Sequence, residues 1–460
     1  MRLFSSAAEG EGTDPKTRML TGGVFSSIFL FSLPIIIGNL FLQLYVTVDA
    51  IIVGRFLGPQ SLAAVSVASP ILFVVVFFLY GGCTGISVLI AREFGSGDRR
   101  RLHEAAATSL IFGVVFTLAL TAVCLAGARS VLVWTKAPAE LHDETMQYLN
   151  IVFVGLIFSF LYNYFASALR GIGNSRVPFV FQVIASCLHI AMNLFFVGSC
   201  GLGVRGSALA TVLSQVVSSA ACVIYIYRRE PVLAVGRGDF HVTRAALAAT
   251  INYSWAAALQ SIIVYVGRFL TQGCVNPLGA NTVAGYNAAT RLENIVMMAY
   301  DGVGVALATF VAQNLGARHA ERVRGGLRTS IVMVLVYVAV ASSAVFIFAP
   351  QIMSMFVSGS GGEAVINAGV IYLRPMCVYM MLSSVDAMMQ SFFRGLGEFR
   401  TVMLVSLSQI ALRVALSFWL VPKWGVPAIA HSTAGGWVLI FFILVALIRS
   451  HMRLITASCR

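Results

Sequence analysis

The sequence predicts an all-α integral membrane protein with about 12 transmembrane helices in two pseudo-symmetric six-helix bundles. Composition is the first reason. Hydrophobic residues make up 58% of the 460 residues and charged residues 11%, whereas an average soluble domain is about 25% charged. So little charge cannot cover a water-facing surface, and lipid must be the solvent for most of the chain. A soluble enzyme, a nucleic-acid binder and a disordered protein are excluded on the same ground. The second reason is the recurrence of apolar stretches of spanning length, and the third is a repeat relating the two halves.

Apolar stretches long enough to cross about 30 Å of hydrocarbon run over 25–53, 61–91, 105–127, 145–169, 178–198, 204–227, 247–275, 283–312, 327–349, 364–393, 401–421 and 427–448. Residues 1–24 hold Glu9, Glu11, Asp14, Lys16 and Arg18 and no apolar run, which predicts a cytoplasmic tail and no cleavable signal peptide. One six-helix bundle then occupies 25–227 and the other 247–448. A cytoplasmic linker, 228–246, carries Pro231, Gly236 and Gly238, and a second cytoplasmic tail covers 449–460. Cys83, Cys124, Cys187, Cys222, Cys274 and Cys377 lie in apolar runs without any C-x-x-C pair, and read as small core residues.

The net charge of +13 is read against the membrane, where Lys and Arg gather on the cytoplasmic side. With the N-terminus inside, 22 of the 31 basic residues fall in cytoplasmic segments, and only Arg55, Arg129, Lys136, Arg205 and Lys423 in external ones. Both termini are therefore expected in the cytoplasm.

At an offset near 221, Gly81, Gly95, Arg101, Thr108 and Ser109 return as Gly302, Gly316, Arg322, Thr329 and Ser330. At 224, Arg170-Gly171-Ile172-Gly173 and Arg176 return as Arg394-Gly395-Leu396-Gly397 and Arg400. Six-helix halves repeated in one orientation are the layout of secondary transporters, whose substrate sits between halves that rock against each other. A channel built on this plan is less common.

Several motifs carry a family resemblance. Leu33-Pro34, Gly38-Asn39-Leu40, Gln43-Leu44-Tyr45 and Val48-Asp49-Ala50, running into Val53-Gly54-Arg55-Phe56-Leu57-Gly58, resemble the first helix of the multidrug and toxic compound extrusion (MATE) family. The tandem R-G-x-G-x-x-R turns, Tyr286-Asn287-Ala288-Ala289 and Ala312-Gln313-Asn314-Leu315-Gly316 are similar to that family as well, so the resemblance covers about residues 25 to 450. The rival twelve-helix fold, the major facilitator superfamily, is superficially met by Gly95-Ser96-Gly97-Asp98-Arg99-Arg100, but it accounts for neither the paired turns nor the acid in helix one. The resemblance implies cation-coupled efflux of amphipathic, usually cationic compounds. It also implies a coupling acid on helix one, at Asp49, and in part of the family a second on helix ten, at Asp386. Two departures bear on sodium: Asn193 stands where many members have Asp on helix five, and Val264 stands near the helix-seven Glu of some sodium-coupled members.

Acidic residues inside spans are costly unless paired or wetted, so Asp49, Glu293, Asp301 and Asp386 are each candidate sites. The C-terminal half holds three of them with all four embedded arginines, Arg268, Arg291, Arg374 and Arg413; the N-terminal half holds Asp49 and no embedded base. A buried acid without a counter-charge is the better place for a titrating switch, which selects Asp49. Its ordinary reading is a carboxylate reaching headgroup water near Arg55. Glu293, Asp301, Arg268, Arg374 and Arg413 read first as structural ion pairs.

At about 100° per residue, Ser32, Asn39, Gln43 and Thr47 form a polar stripe on helix one flanked by Tyr45 and Asp49. Such a stripe lines a cavity or bonds to another helix, and Pro34 permits a bend. On helix ten, Tyr379, Ser383, Asp386 and Gln390 share one face at spacings of 4, 3 and 4. Met297, Met380 and Met388 are candidate walls of an adaptable pocket, with core packing as the alternative. His189 and His431 are embedded in separate helices without a second ligand at i+3 or i+4, and no nucleophile–base pair is visible, so neither a metal site nor an enzyme is expected.

The sequence thus reads as a monomeric antiporter of the cytoplasmic membrane. It would export small amphipathic or cationic compounds against an inward cation, H⁺ in preference to Na⁺, with no cofactor, and with membrane lipid rather than nucleic acid as its surroundings. A lipid-linked precursor flippase or a metabolite exporter is the alternative, and unpaired cleft arginines would favour an anionic cargo. For topology, single cysteines at Ser96 and Ser360 in a cysteine-free background are expected to label from inside and outside respectively; labelling of position 96 by an impermeant reagent in intact cells would refute the orientation.

Overall fold

The computed structural model describes residues 17–236, 242–356 and 362–458. Arg237, Ser360 and most of the 1–24 tail lie outside the described residues, as do the side chains of Val46 and 452–458. Among the described residues the chain is helical almost throughout and contains no strand.

The helices are α1 (Arg18–Thr21), α2 (Val24–Ser96), α3 (Arg99–Trp134), α4 (His142–Val154), α5 (Leu156–Gly171), α6 (Arg176–Asn193), α7 (Gly203–Arg229), α8 (Arg244–Val275), α9 (Ala280–Gly316), α10 (Ala320–Ile347), α11 (Ala349–Ser354), α12 (Gly362–Leu396), α13 (Phe399–Trp424) and α14 (Val426–Ser458). At 73 residues, α2 would be about 110 Å long if straight, several times the hydrocarbon thickness. It is two spans meeting at Gly58, whose φ of 83° is non-helical. The residues around Gly58, expected as a loop, are helical on both sides because Pro59 is suited to start the second span. The fourth expected span is bent by 44° between α4 and α5, at Gly155, where a Cβ would strike Val212. Counting α2 as two passes and α4–α5 as one, the described helices make twelve crossings. Pro34 does not interrupt helical geometry. The six-residue α11, absent from the sequence reading, follows α10 and buries Ala349 and Met353.

Large apolar side chains such as Val123, Phe269, Val340 and Phe442 are exposed, as expected where the surroundings are hydrocarbon. Cys187, read as core, is among the exposed residues, whereas Cys83, Cys222, Cys274 and Cys377 are buried. The C-terminal half is cored by residues such as Tyr286, Met353, Tyr372, Phe393 and Trp437, the N-terminal half by Phe160, Tyr164, Phe165 and Leu169 and by Leu132, Leu149 and Phe153. Between the halves one cluster packs small residues, Val88 and Ala91 of α2, Ala256 and Ala257 of α8, Ala308 and Ala312 of α9, with Phe399, while larger side chains meet elsewhere, Ile28 and Phe31 of α2 against Val296 and Phe310 of α9 and Phe73 and Phe77 of α2 against Tyr265 of α8. Lipid tails are as apolar as leucine, so helices in a membrane associate through close backbone approach and polar bonds rather than through burial.

Two such approaches are related by the repeat. A Cβ on Gly95 would collide with the backbone of Gln313, and one on Gly316 with the backbone of Arg92; each pair maps onto the other at the 221-residue offset. Around them Gln313 donates to the Gly171 carbonyl (2.7 Å) and Arg92 to the Tyr253 hydroxyl (3.0 Å). The α1 segment is drawn in as well, since the Met19 carbonyl accepts from Asn314 (3.0 Å) and the Gly22 carbonyl from Arg322 (2.8 Å). Among the described residues, every hydrogen bond between the halves lies at this end of the bundle, the end at which the first span begins.

Gly316→Ala is therefore expected to lower the melting temperature of the purified protein, by a packing cost of about 1–3 kcal/mol. Gly127, with nothing within 4 Å of a Cβ, is the control. Gly127→Ala should be neutral or slightly stabilising, and equal melts for the two variants would deny the crossing its role.

Candidate functional site

In the N-terminal half, Asp49 lies on the first span, nine residues before the break at Gly58. Its Oδ1 accepts a hydrogen bond from Asn193 Nδ2 of α6 and one from Ser207 Oγ of α7 (3.5 Å). His189 Nε2, one helical turn before Asn193, is 3.8 Å from the same oxygen and 3.1 Å from Thr211 Oγ1. The Tyr45 ring meets the His189 ring edge-on at 4.5 Å. Local structure explains the assembly. Residues i and i+4 share a helix face, so α6 presents His189 with Asn193 and α7 presents Ser207 with Thr211. Immediately after Asn193 the helix loosens into a π-helical turn, Leu194–Ser199, a geometry frequent at functional sites. The carboxylate is 17% exposed and the imidazole 1%, so Asp49 is the accessible member and His189 lies behind it.

Ser32 of the helix-one stripe is buried and returns its hydroxyl to the Phe29 carbonyl (2.9 Å), and the rest of the stripe is open. Asn39 is half-buried and Gln43 and Thr47 are exposed, and among the described residues none of them bonds to another helix; Thr47 returns its hydroxyl to the Gln43 carbonyl (3.0 Å). That favours a cavity over inter-helix bonding.

In the C-terminal half the helix-ten column forms, but it points into the bundle. Tyr379 bonds His431 (2.9 Å), Ser383 bonds Tyr300 (3.1 Å), and Gln390 accepts from Gln260 (3.3 Å) and Ser406 (3.2 Å). Asp386 sits in this column, 1% exposed, and neither carboxylate oxygen has a hydrogen-bond partner among the described residues. Met380 and Met388 belong to the buried core and Met297 packs against it, so they do not form an open pocket wall: volume inside the bundle, not the cleft, is what they fill.

The expected ion pairs are not made as direct contacts. Glu293, buried, accepts from the Tyr372 hydroxyl (2.8 Å), and no arginine lies within 4.0 Å of it among the described residues. Arg268 donates to Asn294 (3.2 Å), Arg374 stands over the Phe346 ring (5.6 Å), and Arg413, near Tyr286, has a buried Nε without a hydrogen-bond partner among the described residues. Asp301 is exposed on α9 and interacts with Arg394 and Arg268 only at longer range. A neutral hydroxyl satisfies a buried acid without the cost of desolvating a second ion, and Tyr372 of α12 supplies it to Glu293. Among the described residues there is no cluster of three or more metal-ligating side chains.

Two similar halves, hydrogen-bonded to each other at one end and each holding an acid inside a membrane-spanning bundle, define a multi-pass transporter. The model of the MatE family matches residues 34–195 and again 256–419, more than half of the chain and once in each half; the chain belongs to the MatE family. It is 27% identical over 342 residues to the probable multidrug resistance protein YoeA of Bacillus subtilis (strain 168), covering 73% of this chain and 74% of that protein. It is 23% identical over 346 residues to the FAD transporter of Shewanella oneidensis, covering 74% and 75%. It shares its fold with the outward-facing conformation of a multidrug resistance MATE family transporter of the MOP superfamily, with a TM-score of 0.90 at 22% identity over 97% of this chain and 100% of that one.

The sequence reading set His189 aside as an embedded histidine without a second ligand and gave no sign of Tyr372. The signal for His189 was its place one turn before Asn193, visible only once Asn193 is known to face Asp49. Tyr372→Phe is expected to strip the buried Glu293 of its donor and cost about 1–3 kcal/mol. Glu293→Gln keeps an acceptor for the tyrosine and should cost less. Thermal melts decide between them, and a lower melting temperature for Glu293→Gln would mean that the charge, not the bond, holds this site.

Proposed function

We propose that the protein is a cation-coupled antiporter, using H⁺ rather than Na⁺, that exports lipophilic compounds by alternating access. The observation that carries the reading is Asp49: an accessible carboxylate on the first span, surrounded by neutral donors and without an arginine or lysine within ion-pair distance among the described residues. The cation binds there, with Asp386 as a second coupling acid in the other half. Because the hydrogen bonds between the halves gather at one end, the cleft opens at the other. With the termini cytoplasmic, as the basic-residue bias supports, this is the outward-open state of a monomer in the cell membrane, and the family's work is transport, not catalysis.

The cargo has two readings. Relatives named for multidrug resistance support amphipathic cationic compounds. Arg268, exposed and bonded to an amide rather than to an acid, supports an anionic cargo such as a lipid-linked precursor or a metabolite, as does the relative named as an FAD transporter.

Asp49→Asn keeps the side-chain volume and removes the charge. In proteoliposomes with an imposed pH gradient it is expected to insert normally and to lose coupled efflux of a dye at least about tenfold, as for the loss of a proton-transfer group. Export at the wild-type rate and abundance would sink the coupling assignment. Cationic and anionic dyes compared side by side, with Arg268→Gln, decide the cargo: a selective loss of the anionic dye in that variant would favour the second reading.

A further inference from the structure

We infer that the C-terminal half carries an oxyanion-binding site, in which Arg268 and Arg413 receive the carboxylate, sulfonate or phosphate group of a cargo molecule. The inference rests on the anionic reading of the cargo and deepens it by assigning the place and the residues.

The repeat carries the argument. At the 221-residue offset, Thr47 and Asp49 of the first span return as Arg268 and Leu270 of α8. Gly58 returns as Gly279, and both glycines have positive φ, 83° and 97°. At 224, Tyr148, His189, Asn193 and Ser207 return as Tyr372, Arg413, Ser417 and His431. The helices correspond in the same way, α4 to the first part of α12, α6 to α13 and α7 to α14. The side chains that gather about Asp49 therefore have counterparts that gather about one place in the C-terminal half. There the chemistry is inverted: the acid is replaced by leucine, the imidazole by a guanidinium, and a threonine of the open stripe by a second guanidinium.

Contacts inside that half agree with the correspondence. Arg413 stands near Tyr286, whose ring meets the Tyr372 ring at 4.9 Å. A Cβ on Gly436 would lie 3.7 Å from that of Arg413, which sets α14, with His431 little more than one turn earlier, against α13. Arg413 and Ser417 are one turn apart and share a face. Arg413 Nε and Ser417 Oγ both lack a hydrogen-bond partner among the described residues, so each keeps bonding capacity that the protein does not use.

The balance of charge favours an anion. Arg268, Arg394 and Arg413 are the guanidiniums, and Glu293 and Asp301 the carboxylates, that act on one another in this region; three against two leaves one positive charge. Among the described residues none of them is in direct contact with an opposite charge, because Glu293 is held by Tyr372 (2.8 Å) and Arg268 by Asn294 (3.2 Å). Asp386 has none of these arginines as a charge partner, and His431 is bonded to the Tyr379 hydroxyl (2.9 Å). A guanidinium surrounded by amide and hydroxyl retains its attraction for an anion, and its planar fork matches the paired oxygens of a carboxylate, sulfonate or phosphate.

Equilibrium binding to the full-length protein in phosphatidylcholine nanodiscs, with no gradient present, tests the site. Carboxyfluorescein, followed by fluorescence anisotropy, is expected to bind the wild type and to bind Arg413→Gln and Arg268→Gln at least about tenfold more weakly, as for the loss of one charged hydrogen-bonding pair. Arg413→Lys, which keeps the charge, should bind more tightly than Arg413→Gln. Tetramethylrhodamine methyl ester, a cation built on the same xanthene rings, should bind the two glutamine variants no more weakly than the wild type. Arg205→Gln, at an exposed arginine of the other half, should leave carboxyfluorescein binding unchanged. Wild-type carboxyfluorescein affinity in folded Arg413→Gln and Arg268→Gln, or an equal loss of both dyes, overturns the inference. Binding that survives phosphatidylglycerol in the nanodisc assigns the site to a soluble anion, whereas displacement by that lipid gives it to a headgroup and overturns the cargo assignment. Export from proteoliposomes keeps the site and the cargo reading apart. Dye bound through the arginines but never exported removes the anionic cargo and leaves the site; dye exported equally by the wild type and both variants removes the site and leaves the cargo. Should Arg413→Gln fail to fold, Arg268→Gln, at an exposed position, carries the measurement.

Discussion

The backbone crossing of α2 and α9 is the constraint on which the remaining architecture depends. Gly95 against Gln313 and Gly316 against Arg92 bring two long helices together where any side chain would hold them apart. Once the backbones meet, Gln313 reaches the carbonyl at the end of α5, and Asn314 and Arg322 reach the carbonyls of the α1 segment. In hydrocarbon, where burial gives helices little reason to associate, these contacts are the fastening between halves. The hydrogen bonds stay at that end, and farther along α2 the halves meet through apolar and aromatic contacts such as Phe73 and Phe77 against Tyr265. Because each contact is the repeat of the other, the two halves meet in a symmetric way at this crossing, and parallel repeats of this kind are one of the plans of secondary transporters.

On this symmetric frame the chemistry is asymmetric. The N-terminal half surrounds one partly accessible acid with amide, hydroxyl and imidazole. The C-terminal half buries Asp386 without a hydrogen-bond partner among the described residues, gives Glu293 a tyrosine, and sets Arg268 on an amide and Arg374 over an aromatic ring. Among the described residues none of the four acids within the spans is held by an arginine or lysine in a direct salt bridge.

The bend between α4 and α5 and the π-helical turn after Asn193 belong to the same economy. Both are departures from regular helix within the N-terminal half, and the π turn adjoins the Asp49 network. Gly155, where Val212 of α7 fills the place of a side chain, sets the bend by packing rather than by proline, while Pro34 on the first span leaves its helix continuous.

The sequence alone determined the number of spans, the repeat and the family. A membrane imposes rules of length, hydropathy and charge side that act on each segment separately, and a duplicated half is legible as an offset. The sequence also singled out Asp49 and the column around Asp386, because a lone acid in an apolar run is conspicuous whatever surrounds it. Tertiary structure decided the partners. Asn193 meets Asp49 across 144 residues and Tyr372 meets Glu293 across 79, and periodicity on one helix says nothing about which neighbour faces it. The ion pairs read from composition gave way to tyrosine and amide contacts, and the pocket methionines to core packing, for the same physical reason: a buried polar or flexible group is satisfied by whichever side chain the facing helix presents, and only the packing of helices chooses that face.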